Sequence, residues 1–280
     1  MTVINTNIKS LVSQSALERN SRDLGKAMQQ LSTGKRINTA ADDAAGLAIS
    51  NRMTSQIRGL DQAVRNANDG ISMLQTTEGA LTEVTNMLQR MRELAVQSAN
   101  ATNTSVDRGF LQLEHAELQA EITRIANSTQ WNGMNITNTA AAANLSAATF
   151  QVGANANQVI TMAFVDVAAL TGVASSIAST LTIATVTGAN AAISVLDSGI
   201  AAIDSYRATL GAKVNRLTYA ADNLTNVSTN SSAARSRILD TDYAKAASEL
   251  SRTQIIQQAA TAVLAQANVD QQSVLKLLQG

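Results

Sequence analysis

The stretch that decides the fold is residues 57–74, IRGLDQAVRNANDGISML, in which apolar side chains recur at alternating intervals of three and four. These apolar positions are Ile57, Leu60, Val64, Ala67, Ile71 and Leu74. A 3.5-residue repeat is typical of helices that pack along their length. The phase runs through Asn68-Asp69-Gly70, a sequence that would otherwise indicate a turn, and it resumes at Leu81 after a break at Glu78. We therefore predict one helix from about residue 56 to residue 99.

The second half of the chain carries the same repeat between residues 193 and 224, and the repeat is broken only at Arg207. A further helix is predicted over about residues 242–278, and the opening segment shows a looser version of the pattern. Helices that share this period bury one stripe each against a neighbour. The predicted fold is therefore mainly α: a long antiparallel coiled-coil helical rod with a small β-hairpin region.

That β region lies between residues 134 and 188, where the side chains are small or β-branched. Residues 150–153 and 159–162, separated by Ala154-Asn155-Ala156-Asn157, predict a hairpin. Residues 180–187, TLTIATVT, predict a further strand. Upstream, Thr104 followed by Asp107 predicts the start of a helix, and Trp131-Asn132-Gly133 predicts the turn after it.

Composition excludes several classes of function. Lys and Arg total 21, as do Asp and Glu, so the chain lacks the basic excess of a nucleic-acid-binding protein. It contains no cysteine and therefore no disulfide or zinc–thiolate site, and no proline interrupts its helices. No run of about 18 apolar residues predicts a membrane span. The opening residues, MTVINTNIKSLVSQS, lack the apolar block of a cleaved signal peptide.

Candidate catalytic, cofactor-binding and metal-binding residues are absent from this interpretation. The single histidine, His115, lies on an apolar stripe, and together with Glu114 and Glu117 it forms no metal-ligand pattern, so we expect a core or interface residue. Asp42-Asp43 could in principle act as an acid–base pair, but the cap of the following helix is the simpler interpretation.

The terminal segments are difficult to stabilise in a single copy. Burying a large apolar side chain contributes roughly 2 kcal/mol, whereas ordering one residue's backbone costs about 1–2 kcal/mol. Two helices packed only on each other bury one stripe apiece, so we expect these ends to be weakly ordered in a monomer and to fold against other copies. The residues predicted to pack in the core formed between copies are Ile4, Ile8, Leu11, Ile256, Val263, Val274 and Leu277.

Several motifs resemble those of bacterial flagellins. The amino-terminal motifs are residues 4–7 (INTN), 31–38 (LSTGKRIN), 41–50 (ADDAAGLAIS), 65–72 (RNANDGIS) and 88–97 (LQRMRELAVQ). The carboxy-terminal motifs are residues 210–217 (LGAKVNRL), 236–244 (SRILDTDYA) and 264–268 (LAQAN). They occur in the right order and at both ends. Two positions depart from the family pattern: Trp131 stands where phenylalanine is usual, and Asp270-Gln271 replaces a common proline-containing pair.

The resemblance implies a structural subunit that polymerises into the flagellar filament for swimming, secreted by type III export without signal cleavage. Residues 1–43 and 240–280 would form the inner filament-core domain, and residues 44–239 the rod domain. Residues 134–188 would stand in place of the outer domains of longer flagellins. Implied partners are other copies of the chain, hook-junction and cap proteins, and an export chaperone at the carboxy-terminal helix. Nucleic acid and membrane are not expected partners, and no cofactor is implied.

The resemblance also implies a possible host receptor site. Flagellins detected by the animal toll-like flagellin receptor have an Arg-x-x-x-Leu pair on the long helix and a glutamate on the next helix. Arg90, Leu94 and Glu114 match these positions. Arg90 and Leu94 are four residues apart and share a helix face. The alternative is that the three residues only make contacts between subunits of the filament.

The two breaks in the repeats suggest a pair. If the two long helices run antiparallel with their ends level, Glu78 and Arg207 come opposite each other. We predict an interhelical ion pair that sets the register, because an unpaired charge between helices would be costly. The alternative is that both side chains turn out to solvent.

Two other functions remain open from the sequence. A hook–filament junction protein shares the terminal pattern, although the complete motifs at 65–72 and 88–97 favour a flagellin. A binding or enzymatic module built on a helical rod is the other alternative, but the sequence offers no cluster of convergent polar residues to support it.

Overall fold

The computed structural model describes residues 6–138 and 145–279, with side chains described as far as residue 269. In these residues six helices and four strands occur. The helices are α1 (Ile8–Thr33), α2 (Ala44–Ala99), α3 (Ser105–Ser128), α4 (Val173–Ser176), α5 (Val186–Leu239) and α6 (Tyr243–Gln279). The strands are β1 (Gln130–Trp131), β2 (Met134–Asn135), β3 (Ala147–Gln151) and β4 (Val159–Ala163). The predicted mainly α fold with a small hairpin region is confirmed.

The chain forms two compact units. The terminal unit comprises Met1–Gln56 and Thr229–Gly280, and the central unit comprises Ile57–Ser228. Residues of α2 and α5 belong to both units. The sequence suggested a domain division at 43/44 and 239/240. These positions coincide with the start of α2 and the end of α5.

The core of the central unit lies between α2 and α5, and it consists of the positions that keep the heptad phase. Completely buried leucines and isoleucines include Leu74, Leu81, Leu88, Leu196, Ile203, Leu210 and Leu217. Side chains pair Asp61 with Ser228 and Arg92 with Asp197, so residue numbers rise along one helix as they fall along the other. The two helices therefore run antiparallel, as the repeat predicts.

Local capping decides where α2 and α3 begin. The Asp43 carboxylate accepts a hydrogen bond from the Gly46 amide at 2.8 Å, and α2 starts at Ala44, well before the predicted start at about residue 56. Thr104 and Asp107 form a reciprocal capping box at the start of α3, so the predicted helix start is confirmed. Asn68-Asp69-Gly70 lies inside α2, as the unbroken phase predicts.

The predicted hairpin is confirmed as β3 and β4, which pair antiparallel from Ala147 opposite Ala163 to Gln151 opposite Val159. Phe150 of β3 lies against Gly70 of α2, and the absence of a side chain at Gly70 permits this close approach. A second, two-residue hairpin joins β1 to β2 through the turn at Asn132 and Gly133, both with positive φ.

The prediction of a strand over residues 180–187 is wrong. Residues 181–185 are irregular, and Val186 already begins α5. Side chains occupy the backbone groups that a strand would use: the Gln112 side-chain oxygen accepts from the Ile183 amide at 2.6 Å, and the Ser98 hydroxyl donates to the Ile183 carbonyl. Ile183 itself is completely buried, so tertiary contacts hold this β-branched segment in place without strand pairing.

The sequence analysis predicts no membrane span, but one described helix, α5, is apolar over enough of its length to be a candidate. Helix α5 is long enough and apolar enough to cross a membrane by length and composition alone. In the central unit the apolar side chains of α5, including Leu196 and Ile203, are part of the helical core. Asp197 of the same helix pairs with Arg92. Apolar side chains of α5 thus pack against other parts of the central unit.

Candidate functional site

The terminal unit presents an apolar surface that is open to solvent. Its two helices, α1 and α6, pack against each other through small and polar residues, and Ala27, Ala246 and Ala267 are buried between them. The Asn20 side chain donates to the Thr253 carbonyl at 2.8 Å, and Asn7 donates to the Ala267 carbonyl at 3.0 Å. Small residues and amides are therefore the buried part of this contact, and several large apolar side chains are left on its outer faces.

Those outer faces carry the residues that the sequence predicts for filament-core packing. Ile8, Leu11 and Val263 are 60%, 56% and 57% exposed, and Ile256 is 39% exposed. Ile8 and Val12 of α1 line an open groove with Val263 and Ala267 of α6. A second groove along the same helices is lined by Leu11, Ala16 and Ile256, among others. Within a single copy, these side chains are only partly covered.

Three of the predicted packing residues cannot be placed in the same way. Ile4 lies outside the described residues, and so do the side chains of Val274 and Leu277, although the backbone of α6 is described to Gln279. Sequence reasoning did not name Val12, Met28, Ile255 or Val269, which are each more than half exposed. Their exposure depends on which face α1 and α6 turn toward each other, and the loose periodicity of these segments does not determine that face.

In the terminal unit, the connection from α1 to α2 and the connection from α5 to α6 are joined by backbone hydrogen bonds. Gly34 ends α1 with φ +68°, and its carbonyl accepts from the Thr241 amide at 3.0 Å. The Arg36 amide donates to the Leu239 carbonyl at 2.7 Å. Asp42 accepts from Lys26 at 3.0 Å and from the amides of Asn38 and Thr39. The hydrogen bond from Lys26 is the largest cause that holds the pKa of Asp42 far below its usual value.

Arg90, Leu94 and Glu114 lie in the central unit, and the structure brings two of them together. The Arg90 Nε atom is 2.8 Å from Oε1 of Glu114, and Arg90 also pairs with Glu93 at 3.0 Å. These hydrogen bonds, first that of Glu114, raise the pKa of the Arg90 guanidinium. The Arg90 and Glu114 side chains are about half exposed, 50% and 46%. Leu94, by contrast, is completely buried, so it is a core residue and is not part of the exposed surface.

Glu78 and Arg207 are also close to each other. The Arg207 Nη2 atom lies 3.5 Å from Oε1 of Glu78, and the two side chains are 31% and 44% exposed respectively. The Arg207 Nε atom is buried and has no hydrogen-bond partner among the described residues. The guanidinium is therefore partly withdrawn from water and depends on Glu78 for its compensation.

His115 is completely buried on the inner face of α3. Both of its ring nitrogens lack hydrogen-bond partners in the part of the chain that the structure describes, and burial lowers its pKa. Its neighbours on that face hold the segment before α5: Gln119 donates to the Ser176 carbonyl at 2.9 Å, and Gln112 accepts from Ile183. Across residues 6–138 and 145–269, no group of three His, Cys, Asp or Glu side chains is arranged to hold a metal ion.

Comparisons with known proteins agree at both ends of the chain. Residues 4–142 match the family model described as the bacterial flagellin N-terminal helical region. Residues 193–278 match the one described as the bacterial flagellin C-terminal helical region. The crystal structure of Bacillus cereus flagellin superposes with a TM-score of 0.52 at 34% identity, and it covers 61% of this chain and 94% of that one.

Curated relatives extend this similarity over nearly the full length. A flagellin of Halalkalibacterium halodurans is 45% identical over 277 residues, which covers 99% of this chain and all of that one. Flagellin FlaB1 of Treponema pallidum is 40% identical over 288 residues, with the same coverage. The names of these relatives support a filament subunit and do not favour the hook–filament junction protein. Flagellins are structural proteins rather than enzymes. The chain therefore belongs to the bacterial flagellins, the subunits that polymerise into the flagellar filament.

Proposed function

We propose that this flagellin assembles by burying the outer faces of α1 and α6 against neighbouring copies in the filament core. The observation that carries the proposal is the exposure of Ile8, Leu11, Ile256 and Val263 on a helix pair whose buried residues are small or polar. Ile4, Val274 and Leu277 would extend this surface toward the chain ends. Residues 1–43 and 240–280 then act as the inner domain and residues 44–239 as the rod, with 134–188 in place of outer domains.

The energetics favour coupling between assembly and order at the ends. Complete burial of a large aliphatic side chain contributes roughly 2 kcal/mol, so covering the exposed half of one contributes about 1 kcal/mol. When α1 packs only against α6, the exposed side chains stay in contact with water and this free energy is not gained. Neighbouring copies supply it at many positions together, and they thereby offset the cost of ordering the two helices.

The test compares substitutions of exposed β-branched residues in the two units. Ile256→Ser and Val263→Ser should each raise the critical concentration for seeded polymerisation by about 5-fold, or roughly 1 kcal/mol. Val159→Ser is the matched control, because Val159 is 40% exposed on β4 and Ile256 is 39% exposed. Sedimentation and negative-stain microscopy measure the polymer, and circular dichroism measures helix gain. An equal effect of all three substitutions would contradict the proposal.

Secretion and the other flagellar partners belong to the same proposal. The homologues form an extracellular filament, and we infer type III export of this chain with an export chaperone bound to α6. Ile255 and Val269 of α6 are 66% and 53% exposed and offer an apolar surface for such a partner. Hook-junction and cap proteins would contact the same terminal helices at the filament ends. Copurification of a chaperone with the unmodified chain, and its loss with Ile255→Ser, tests this part.

For host recognition, we propose that Arg90 and Glu114 form the exposed part of a site for the toll-like flagellin receptor and that buried Leu94 supports it. Arg90→Ala should reduce receptor signalling by soluble monomer at least 10-fold, while Leu94→Ala should act through the packing of α2. The matched control is Arg92→Ala, since Arg92 is 44% exposed and pairs with Asp197. Signalling that falls equally for Arg90→Ala and Arg92→Ala would leave these residues with subunit contacts only.

A further inference from the structure

Helix α3 carries a line of apolar side chains on the side that faces away from the core. Val106, Phe110 and Leu113 are 63%, 66% and 66% exposed, whereas the buried residues of the helix, among them Ile122 and Ala126, lie on the opposite side. We call Val106, Phe110 and Leu113 the exposed apolar face of α3. Three large apolar side chains grouped on one exposed helix face are typical of an interaction surface.

Gly109 leaves a gap between these three side chains. Val106, Gly109, Phe110 and Leu113 occupy positions i, i+3, i+4 and i+7 of the helix. Four residues at these positions surround the hole that receives a side chain when helices pack knobs-into-holes. A Cβ atom at Gly109 would meet no heavy atom within 4 Å, so the space above it is open. The face therefore has the shape that receives one large side chain from another element.

No contact among the described residues of a single copy explains a glycine at position 109. Glycine destabilises the interior of a helix relative to alanine, and Gly109 lies inside the continuous helix Ser105–Ser128 rather than at its cap. Gly70 of α2 shows what such a glycine permits, because the Phe150 ring lies against it within the copy. A side chain that enters the gap over Gly109 from outside the copy would account for this glycine in the same way.

A second copy is the partner that fits this face. The chain is a flagellin, and flagellins polymerise into a filament. Three side chains cover much less than the roughly 800 Å² per partner of a stable pairwise complex, so the face suits a contact that works together with others in a polymer. Copies that repeat by rotation about the filament axis all point the same way. The exposed apolar face of α3 therefore meets a different face of the neighbouring copy, as in other heterologous contacts.

We infer that the exposed apolar face of α3 is a packing surface between copies in the filament, where a large side chain of the neighbouring copy enters the gap over Gly109. Helix α3 belongs to the central unit, so this contact is separate from the one proposed for α1 and α6 of the terminal unit. The inference rests on the proposed filament assembly, and it adds a contact that the terminal helices do not supply.

Filling the gap is the first test. Gly109→Ala places a methyl group where the neighbour's side chain enters, and this overpacking should raise the critical concentration for seeded polymerisation at least about 5-fold. Gly79→Ala is the matched control, because a Cβ atom at Gly79 also meets no heavy atom within 4 Å, whereas the equivalent positions around it hold Thr76, Ala80 and Glu83. The control should change the critical concentration less than about 2-fold. Urea unfolding of both variants first establishes that neither is less stable than the natural chain.

Chemical accessibility is the second test, because the natural chain contains no cysteine. Leu113→Cys should react with a maleimide at least about 10-fold more slowly in filaments than in the monomer, since a buried thiol is shielded from the reagent. Val159→Cys, at an exposed position of β4, is the control for the effect of polymerisation itself. The ratio of filament to monomer rates should be clearly lower for Leu113→Cys than for Val159→Cys.

The outcomes separate the inference from the proposed function. Equal effects of Gly109→Ala and Gly79→Ala on polymerisation overturn the inference, and so does a Leu113→Cys thiol that reacts as fast in filaments as in the monomer. A disulfide between two Leu113→Cys chains in oxidised filaments also overturns it, because that product indicates that the face meets its own copy in the neighbour. Failure of the natural chain to polymerise on seeds counts instead against the proposed function.

Discussion

Arg207 of α5 lies 3.5 Å from Glu78 of α2, measured between Nη2 and Oε1, at the one place where both heptad repeats are interrupted by a charge. The pair sits among completely buried leucines such as Leu74 and Leu81 on α2. A shifted register of the two helices would separate these two charges. We propose that the pair sets the register of α2 against α5.

Removing one partner of this pair should destabilise the central unit. Glu78→Gln should lower the free energy of unfolding by about 0.5–1 kcal/mol, because both side chains are partly exposed and water screens the attraction. Urea unfolding followed by circular dichroism measures the change. Glu83→Gln is the control, since Glu83 is exposed on the same helix and has no ion pair among the described residues. A register role further requires that Glu78→Arg with Arg207→Glu recover most of the loss.

The stability of the central unit should depend on His115 in mild acid. Burial lowers the pKa of His115 in the folded chain, whereas an unfolded histidine titrates near 6.5. Protons therefore bind the unfolded state more readily below that pH. The free energy of unfolding should fall as pH drops below about 6.5, with a slope that approaches about 1.4 kcal/mol per pH unit.

The substitution His115→Leu separates this effect from other titrations. It keeps an apolar side chain in the core and removes the titrating group, so the difference in stability between the variant and the natural chain should grow from pH 7.5 to pH 5.5. Paired urea unfolding curves at these two pH values measure that difference. A difference that stays constant across the range would show that His115 does not control acid sensitivity.

The heptad phase predicts which residues form the continuous helices α2 and α5, because their apolar side chains recur on one helix face. It does not predict that α2 begins at Ala44, because the Asp43 cap is a single local signal in a segment with weaker periodicity. The strand predicted over residues 180–187 failed for a different reason. Its β-branched composition is real, but hydrogen bonds from Ser98 and to Gln112 occupy the backbone of Ile183.

Surfaces were harder to predict than the core. The sequence predicts that Ile8 and Val263 pack against other copies, and the structure leaves both exposed in a single copy. The exposed apolar face of α3, with Val106, Phe110 and Leu113, was not predicted because the inner stripe of the same helix accounts for its periodicity. A second apolar face becomes visible only once burial tells which residues the first face contains.

The capping box at the start of α3 should contribute measurably to stability. Asp107 accepts from the Thr104 hydroxyl at 2.7 Å and from its amide at 2.9 Å. Thr104→Ala should lower the free energy of unfolding by about 1 kcal/mol, the usual effect of losing an N-cap. The hydrogen bond from Thr104 lowers the pKa of Asp107, so this contribution is present above about pH 4 and is lost as pH falls further. Unfolding curves at pH 7 and pH 3 should show a smaller effect of Thr104→Ala at pH 3.

Two glycines inside α2 should respond differently to the same substitution. A Cβ at Gly79 would meet no heavy atom within 4 Å, whereas one at Gly70 would lie 3.0 Å from Cδ1 of Phe150. Because alanine favours a helix over glycine by about 0.8–1 kcal/mol, Gly79→Ala should raise the free energy of unfolding by nearly that amount. Gly70→Ala gains the same propensity but must push the Phe150 ring and its hairpin away from α2. Urea unfolding should therefore give a smaller gain or a loss for Gly70→Ala, together with faster proteolysis in residues 151–159. Equal stabilisation by both substitutions would mean that the hairpin yields freely and that Gly70 is not required for its seat on the helix.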